Sequence, residues 1–222
     1  MIEIAISLAI IGIALVAIIG VLPYGMNAQR ANREQTVINQ DATVFLEAIR
    51  NGAGGGADLT NYVYAITNED YPGNGPNINF TNNAEIIGLL STPSYPTQGI
   101  TNRMVAYVHS ISGPAVEKPP QDNPILRQDS FSYWILCTLA PVQTDTNFLN
   151  EPYYRQLTAN LHELRLTFLW PQEPNGRLAP FPSRQTYRLL VGGQISQTNY
   201  NRLGQTLYFF QPQDFTVVTN AP

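Results

Sequence analysis

The sequence is poor in charged residues and in cysteine. Only 13% of its 222 residues are charged, where about 25% is usual for a soluble domain. The formal net charge is −4 and Lys118 is the only lysine, so the chain offers no basic footprint for nucleic acid. The single cysteine, Cys137, excludes an intrachain disulfide and a cysteine-based zinc site. Polar surface is supplied by Asn, Gln, Thr, Ser and Tyr instead, a composition that suits packing against other protein or exposure outside a cell.

Residue patterns that carry catalysis or metal binding are also missing. The two histidines, His109 and His162, have no nearby carboxylate or cysteine in a metal-ligand spacing, and we interpret His162 as a surface or half-buried strand residue. The glycine run "GAGGG" is not followed by Lys-Ser/Thr, so it does not read as a phosphate-binding loop. No set of nucleophile, base and orienting residue can be assembled. We therefore predict a protein that is not an enzyme and that has no cofactor and no metal.

What the sequence does have is a long apolar run at its N-terminus. The 19 residues from Ile4 to Leu22 contain no charge, and as a helix they would span about 28 Å, close to the bilayer core of about 30 Å. A signal peptide is the simple alternative, but no basic region precedes the run and no small-x-small cleavage site follows it. Glu3 stands immediately before the run. A carboxylate in hydrocarbon costs several kcal/mol, so Glu3 needs either water or a partner.

The helical pattern continues beyond Pro23 but becomes one-sided. Apolar residues recur at a spacing of three or four, which indicates an amphipathic helix that ends at the glycine run from Asn51 to Gly56. We divide the chain into an apolar membrane or filament-core helix at 1–25, the amphipathic half of the same helix at 26–51, and a globular domain at 52–222. The apolar face, which we expect to pack on that domain, comprises Ile38, Ala42, Phe45 and Ile49.

The globular part reads as an antiparallel sheet with long loops. Five segments are rich in β-branched and aromatic residues or alternate with a period of two: "RMVAYVHSIS", "FSYWILCTLA", "NLHELRLTFLW", "QTYRLLVGGQI" and "QTLYFFQP". Asn83 is predicted to cap a short helix with Glu85 in its first turn, and Cys137 is predicted to be a buried core residue. The predicted fold is α+β, with the long N-terminal helix packed on the sheet.

The first helix resembles a known family. The segment "IEIAISLAIIGIALVAI" looks like the N-terminal helix of type IV pilins and type II secretion pseudopilins, in which a Glu at the fifth mature position is followed by an A-I-I-G stretch. Here Glu3 is followed, with no gap in register, by Ala9 to Gly12. Met1 then corresponds to the family's third position. We expect the sequence to begin two residues inside the mature protein; the competing interpretation is that Met1 is a true start.

The resemblance implies roles for several residues. In the family the equivalent of Glu3 pairs with the N-terminal ammonium, which is N-methylated, of a neighbouring subunit, so assembly would involve Met1, Ile2 and Glu3. The stretch marked by Gly12, Gly20 and Pro23 would lose helical structure in the filament. The alternative is that the glycines permit close helix packing. Some pseudopilins bind calcium near their C-terminus, but Asp214 stands alone here and that site is not carried over.

The functional expectation follows from the resemblance. The chain is expected to be a pilin-like structural subunit that is anchored in the bacterial inner membrane and then polymerises with itself into an extracellular helical filament. A prepilin peptidase and assembly machinery are the implied partners, and no nucleic acid is expected. One alternative is a pseudopilin of a type II secretion system. The alternative from another class is a membrane-anchored binding module that never polymerises.

Overall fold

The computed structural model describes residues 2–54, 58–68, 77–94, 103–113, 131–142, 152–173, 175–200 and 205–217. The chain forms two compact units, Met1–Asn39 and Gln40–Pro222, and the boundary between them lies inside the first helix. Met1, Lys118 and Gly56 fall outside the described residues.

The predicted α+β class is confirmed. A long helix precedes a six-stranded antiparallel sheet with strand order β2-β1-β3-β4-β5-β6, and β7 pairs with β8 in a separate hairpin. The elements are α1 (Ile2–Arg50), a 3-10 turn (Gly52–Gly54), β1 (Val63–Asn68), β2 (Asn77–Ile78), α2 (Asn83–Leu90), β3 (Met104–His109), β4 (Ser132–Pro141), α3 (Pro152–Asn160), β5 (Leu161–Gln172), β6 (Leu178–Gly192), β7 (Gln194–Tyr200) and β8 (Gln205–Gln211).

One face of the sheet forms the core of the second unit. Side chains on this face alternate along each strand with those of the opposite face, as the period of two in the sequence predicts. The opposite face is also partly buried, because Val105, Trp134 and Leu169 form a second hydrophobic cluster there. In β5 the residues on the opposite face include exposed Arg165 and half-buried Glu163, which form an ion pair at 2.7 Å. The buried residues of β4 and β5 on the core face are Tyr133, Ile135, Cys137, Leu139, Leu164, Leu166, Phe168 and Trp170.

A buried carboxylate joins the last turns of α1 to the sheet. The side chain of Asp41 has no solvent exposure. Its two oxygens accept hydrogen bonds from the backbone N–H groups of Ile111 at 2.9 Å and Ser112 at 2.8 Å. The hydroxyl of Tyr133 donates a third hydrogen bond at 2.7 Å. Burial, with the neighbouring carboxylate as a second cause, raises the pKa of Tyr133 well above its usual range, so the phenol keeps the proton that it donates.

The short helix α2 lies between the sheet and the β7–β8 hairpin. The thiol of Cys137 in β4 donates a hydrogen bond to the carbonyl of Leu90 in α2 at 2.8 Å, and the predicted burial of Cys137 is confirmed. On the hairpin side, a Cβ at Gly88 would lie 2.8 Å from the ring of Phe209 and 2.9 Å from the side chain of Leu207. The glycine therefore lets β8 pack closely against the helix.

Two local predictions need correction. The segment "QTYRLLVGGQI" is not one strand: β6 ends at Gly192 and β7 begins at Gln194. Gly193 has φ +128° and a Cβ there would lie 2.5 Å from the carbonyl oxygen of Gln211, so the chain turns where only glycine fits. The cap of α2 is Asn82, not Asn83, and its side chain accepts a hydrogen bond from the N–H of Glu85 at 2.8 Å.

The interpretation of His162 as a surface or half-buried residue is wrong. Only 4% of its surface is exposed, because it lies opposite Val191 in the sheet register and its ring meets the ring of Phe210 at a centroid distance of 5.9 Å. The strand pattern did place it on the core face, together with Leu164. The sequence analysis also did not predict the strands β1 and β2 or the helix α3.

Replacing Asp41 with Asn is predicted to destabilise the protein by about 2–4 kcal/mol, because an amide turns a donor toward at least one of three buried donors. The matched control is Glu47→Gln, which removes one charge from an exposed position of the same helix and should cost less than about 0.5 kcal/mol. Denaturant unfolding of the detergent-solubilised chain, followed by tryptophan fluorescence, measures both. Equal stabilities of the two variants would contradict the prediction.

Candidate functional site: an exposed apolar helix that begins with a carboxylate

The first half of α1 exposes apolar side chains on every side. Its large apolar side chains from Ile2 to Met26 are all more than half exposed, with values between 53% and 79%. No charged residue occurs between Glu3 and Arg30, so a neutral helix of 26 residues, about 39 Å long, is available. Its length and composition are sufficient to cross a membrane. Among the described residues it is the one helix with this property.

Few polar groups interrupt this surface. The hydroxyl of Ser7 donates to the backbone carbonyl of Glu3 at 2.8 Å, so it is satisfied inside the helix and can enter an apolar environment at little cost. The first ion pair lies just beyond the neutral stretch, between Arg30 and Glu34 at 3.0 Å. Arg30 therefore marks the point where the exposed surface of the helix changes from apolar to charged.

The carboxylate of Glu3 is the exception within the apolar half. Within the described part of the chain, no hydrogen bond or ion pair to this side chain is present. Water can satisfy it in solution, but an apolar environment would leave a full charge without compensation, at a cost of several kcal/mol. A cationic group supplied from outside residues 2–54 is the chemical complement that such an environment requires.

The helix is continuous through its weakest sequence. α1 includes Gly12, Gly20 and Pro23 without interruption. A Cβ added at Gly12 or at Gly20 would have no heavy atom within 4 Å. Among the described residues, neither glycine is therefore required by a close contact. Both earlier interpretations, local helix loss and close packing against another helix, require a neighbouring molecule.

The predicted site residues fall into two groups. Ile2 and Glu3 lie in the exposed segment of the first unit, and Met1 lies outside the described residues. The expected packing residues at the far end of the same helix are buried, with exposures of 0% for Ile38, 1% for Ala42, 0% for Phe45 and 0% for Ile49.

Asp41 was not recognised from the sequence. A signal was present, since Asp41 lies three residues after Ile38 and four before Phe45, on the apolar face of the amphipathic helix. A single acidic residue in such a face indicates a buried carboxylate with dedicated donors. The donors themselves, two of them backbone groups about 70 residues away along the chain, could not be named from the sequence.

Comparisons with known families, with curated proteins and with solved structures find no match to this chain.

Deleting residues 1 to 29, so that the chain begins at Arg30, is predicted to give a soluble monomer. The deletion removes the exposed apolar side chains but keeps Asp41, Ala42, Phe45 and Ile49, so the second unit retains its core. Size-exclusion chromatography with light scattering, without detergent, should give the monomer mass, while the full chain under the same conditions should aggregate. Aggregation or fibre formation by the truncated chain would show that the helix is not divided into these two roles.

Proposed function

We propose that the chain is a structural subunit that is anchored in a membrane by the first half of α1 and polymerises through that segment into a type IV pilus-like filament. The observation that carries the proposal is the pairing of a fully exposed apolar helix with a single carboxylate that has no partner among the described residues. The resemblance of residues 2–18 to the type IV pilin helix supports the same conclusion.

The apolar side chains of the first half of α1 and the carboxylate of Glu3 require different surroundings. A bilayer satisfies the apolar side chains from Ile4 to Leu22, but it does not satisfy a carboxylate at their end. A helical polymer satisfies both, because neighbouring copies bury the apolar surface and a cationic N-terminus can reach Glu3. Head-to-tail contacts whose rotation does not close a ring generate a helical filament, and this is the arrangement that the proposal requires.

The second unit supports the role of an outer domain. Its core includes the buried faces of β4 and β5 and the Asp41 hydrogen bonds. The segment proposed for assembly, from Ile4 to Leu22, contributes no buried side chain, so it can change its surroundings, from lipid to protein, without that core being rebuilt. The proposal assigns the chain no catalytic role and no cofactor.

Glu3→Ala is predicted to leave the second unit folded and to reduce filament assembly. Loss of one partner from a buried ion pair costs about 3–5 kcal/mol, which corresponds to a decrease of more than about 100-fold in the equilibrium constant for adding a subunit. Glu3→Lys should reduce assembly further, because it adds repulsion between cations. The measurement is the mass of filaments sheared from the cell surface, together with negative-stain images.

The matched control is Glu47→Ala, which removes an exposed carboxylate from the same helix and should leave the filament yield unchanged. The membrane-bound pool of each variant is measured in parallel, so that reduced assembly is distinguished from reduced expression. Normal filament numbers for Glu3→Ala would overturn the role of Glu3. Absence of filaments from the parent chain, with a full membrane pool, would favour the anchored binding module. Short filaments that depend on a secretion system would favour the pseudopilin.

In an assembled filament, the segment between Gly12 and Pro23 is predicted to depart from α-helix, while residues 26 to 50 remain helical. Two glycines and a proline make this the weakest stretch of α1. Each residue converted from helix to extended chain adds up to about 1.8 Å along the axis. A density map of the filament decides the question. A continuous i to i+4 hydrogen-bond ladder from Gly12 to Leu22 would leave the glycines as packing residues only.

A further inference from the structure

The second unit contains a cavity that the proposed function does not use. Its volume is about 350 Å³, within the range of about 300–1,000 Å³ that is common for small-molecule sites. The wall is built from the end of α3, the start of β5, both strands of the β7–β8 hairpin and the segment after β8. Six of its lining residues are polar and none is charged: Thr158, His162, Gln194, Gln197, Tyr208 and Thr216.

His162 is the most deeply buried of the polar residues in the wall. Only 4% of its surface is exposed, and its Nδ1 atom is enclosed by protein with no hydrogen-bond partner among the described residues. Buried polar atoms in native proteins are rarely left in this state, and each costs about 1–3 kcal/mol. Burial lowers the pKa of His162, so at neutral pH the ring is uncharged and presents one donor and one acceptor nitrogen.

The cavity wall is held in place by hydrogen bonds to the backbone of the segment after β8. These bonds leave the lining side chains free to bind a ligand. The side chain of Asn160 accepts a hydrogen bond from the N–H of Thr216 at 2.6 Å and donates one to its carbonyl at 2.8 Å. The N–H of Gln194 donates to the carbonyl of Asp214 at 2.8 Å. These bonds fix the segment after β8 against α3 and β7. Within the described part of the chain, no hydrogen bond engages the side chain of Gln194, Gln197, Tyr208 or Thr216.

The chemistry of the lining selects a class of ligand. A charged ligand would be desolvated without an opposite charge in the wall, which is unfavourable. A purely apolar ligand would cover the polar side chains of the wall and offer them no hydrogen bonds, which is also unfavourable. Amide, hydroxyl and neutral imidazole groups all offer both donors and acceptors, which matches a ligand whose own groups do the same. Tyr208 adds an aromatic ring to the wall, as is usual in small-molecule sites.

We propose that this cavity binds a neutral, hydroxyl-rich ligand of the size of one or two sugar rings, with hydrogen bonds to Gln197 and Tyr208. The ligand is either a free saccharide or a terminal unit of a glycan, since both present the same hydroxyl groups. The inference does not depend on filament assembly, because every lining residue belongs to the second unit.

The test uses the full chain in a detergent without a sugar headgroup, so that the detergent cannot occupy the site. The chain is labelled with ¹³C-histidine, and its two histidines give two ring Cε1–H signals, with His109 as the internal control. Glucose, galactose, mannose, N-acetylglucosamine and their disaccharides are titrated, with inorganic phosphate and glucuronate as charged probes. Binding of the chain to an array of immobilised glycans distinguishes a terminal unit from a free saccharide.

At least one neutral saccharide is expected to shift the His162 signal and not the His109 signal. Gln197→Ala and Tyr208→Phe should each lower the affinity for that saccharide by about 5- to 10-fold, since each removes one hydrogen bond. The matched control is Gln213→Ala, an exposed glutamine outside the cavity, which should leave the affinity unchanged. These substitutions lie at exposed or half-buried positions, and preserved folding is checked by the His109 signal.

Three results would overturn the inference. The first is that no neutral saccharide moves the His162 signal at up to about 10 mM, a concentration that detects even binding of about −3 kcal/mol. The second is that phosphate or glucuronate binds more tightly than every neutral sugar. The third is that Gln197→Ala and Gln213→Ala weaken binding equally, which would place the ligand outside the cavity.

Discussion

The register between the last turns of α1 and the sheet depends on the buried carboxylate of Asp41. An ionised carboxylate in a protein interior costs several kcal/mol unless its oxygens are satisfied. Asp41 meets this requirement with two backbone N–H groups from the segment after β3 and a hydroxyl from β4. Apolar contacts at Phe45 and Ile49 would tolerate small shifts along the helix axis, since they are not directional. The three hydrogen bonds do not, so they set the register of the last turns of α1 relative to the sheet.

Two of the four carboxylates of α1 are in opposite situations. Asp41 is buried and fully satisfied within the chain. Glu3 lies at the start of an exposed apolar segment and has no partner among the described residues. Asp41 has all its hydrogen-bond partners within the second unit, so it needs no other molecule. Glu3 is consistent with a partner on another molecule, and this difference is the physical basis of the proposed filament subunit.

The β7–β8 hairpin links the core to the cavity. Its strand β8 packs on α2 through the close approach at Gly88, and the same hairpin contributes Gln194, Gln197 and Tyr208 to the cavity wall. Gly193 is what separates this hairpin from β6, because its positive φ turns the chain away from the six-stranded sheet.

Local patterns were sufficient for several conclusions from the sequence alone. Helical periodicity and the glycine run predicted one long helix that ends where α1 does. The alternation of apolar residues with Glu163 and Arg165 predicted the core face of β5, because side-chain direction repeats with a fixed period in each element. Only the tertiary structure decided the partners of Asp41, the burial of His162 and the break at Gly193. These depend on groups about 20 to 90 residues apart in the chain, and no local pattern specifies which distant donor, ring or carbonyl will be the neighbour.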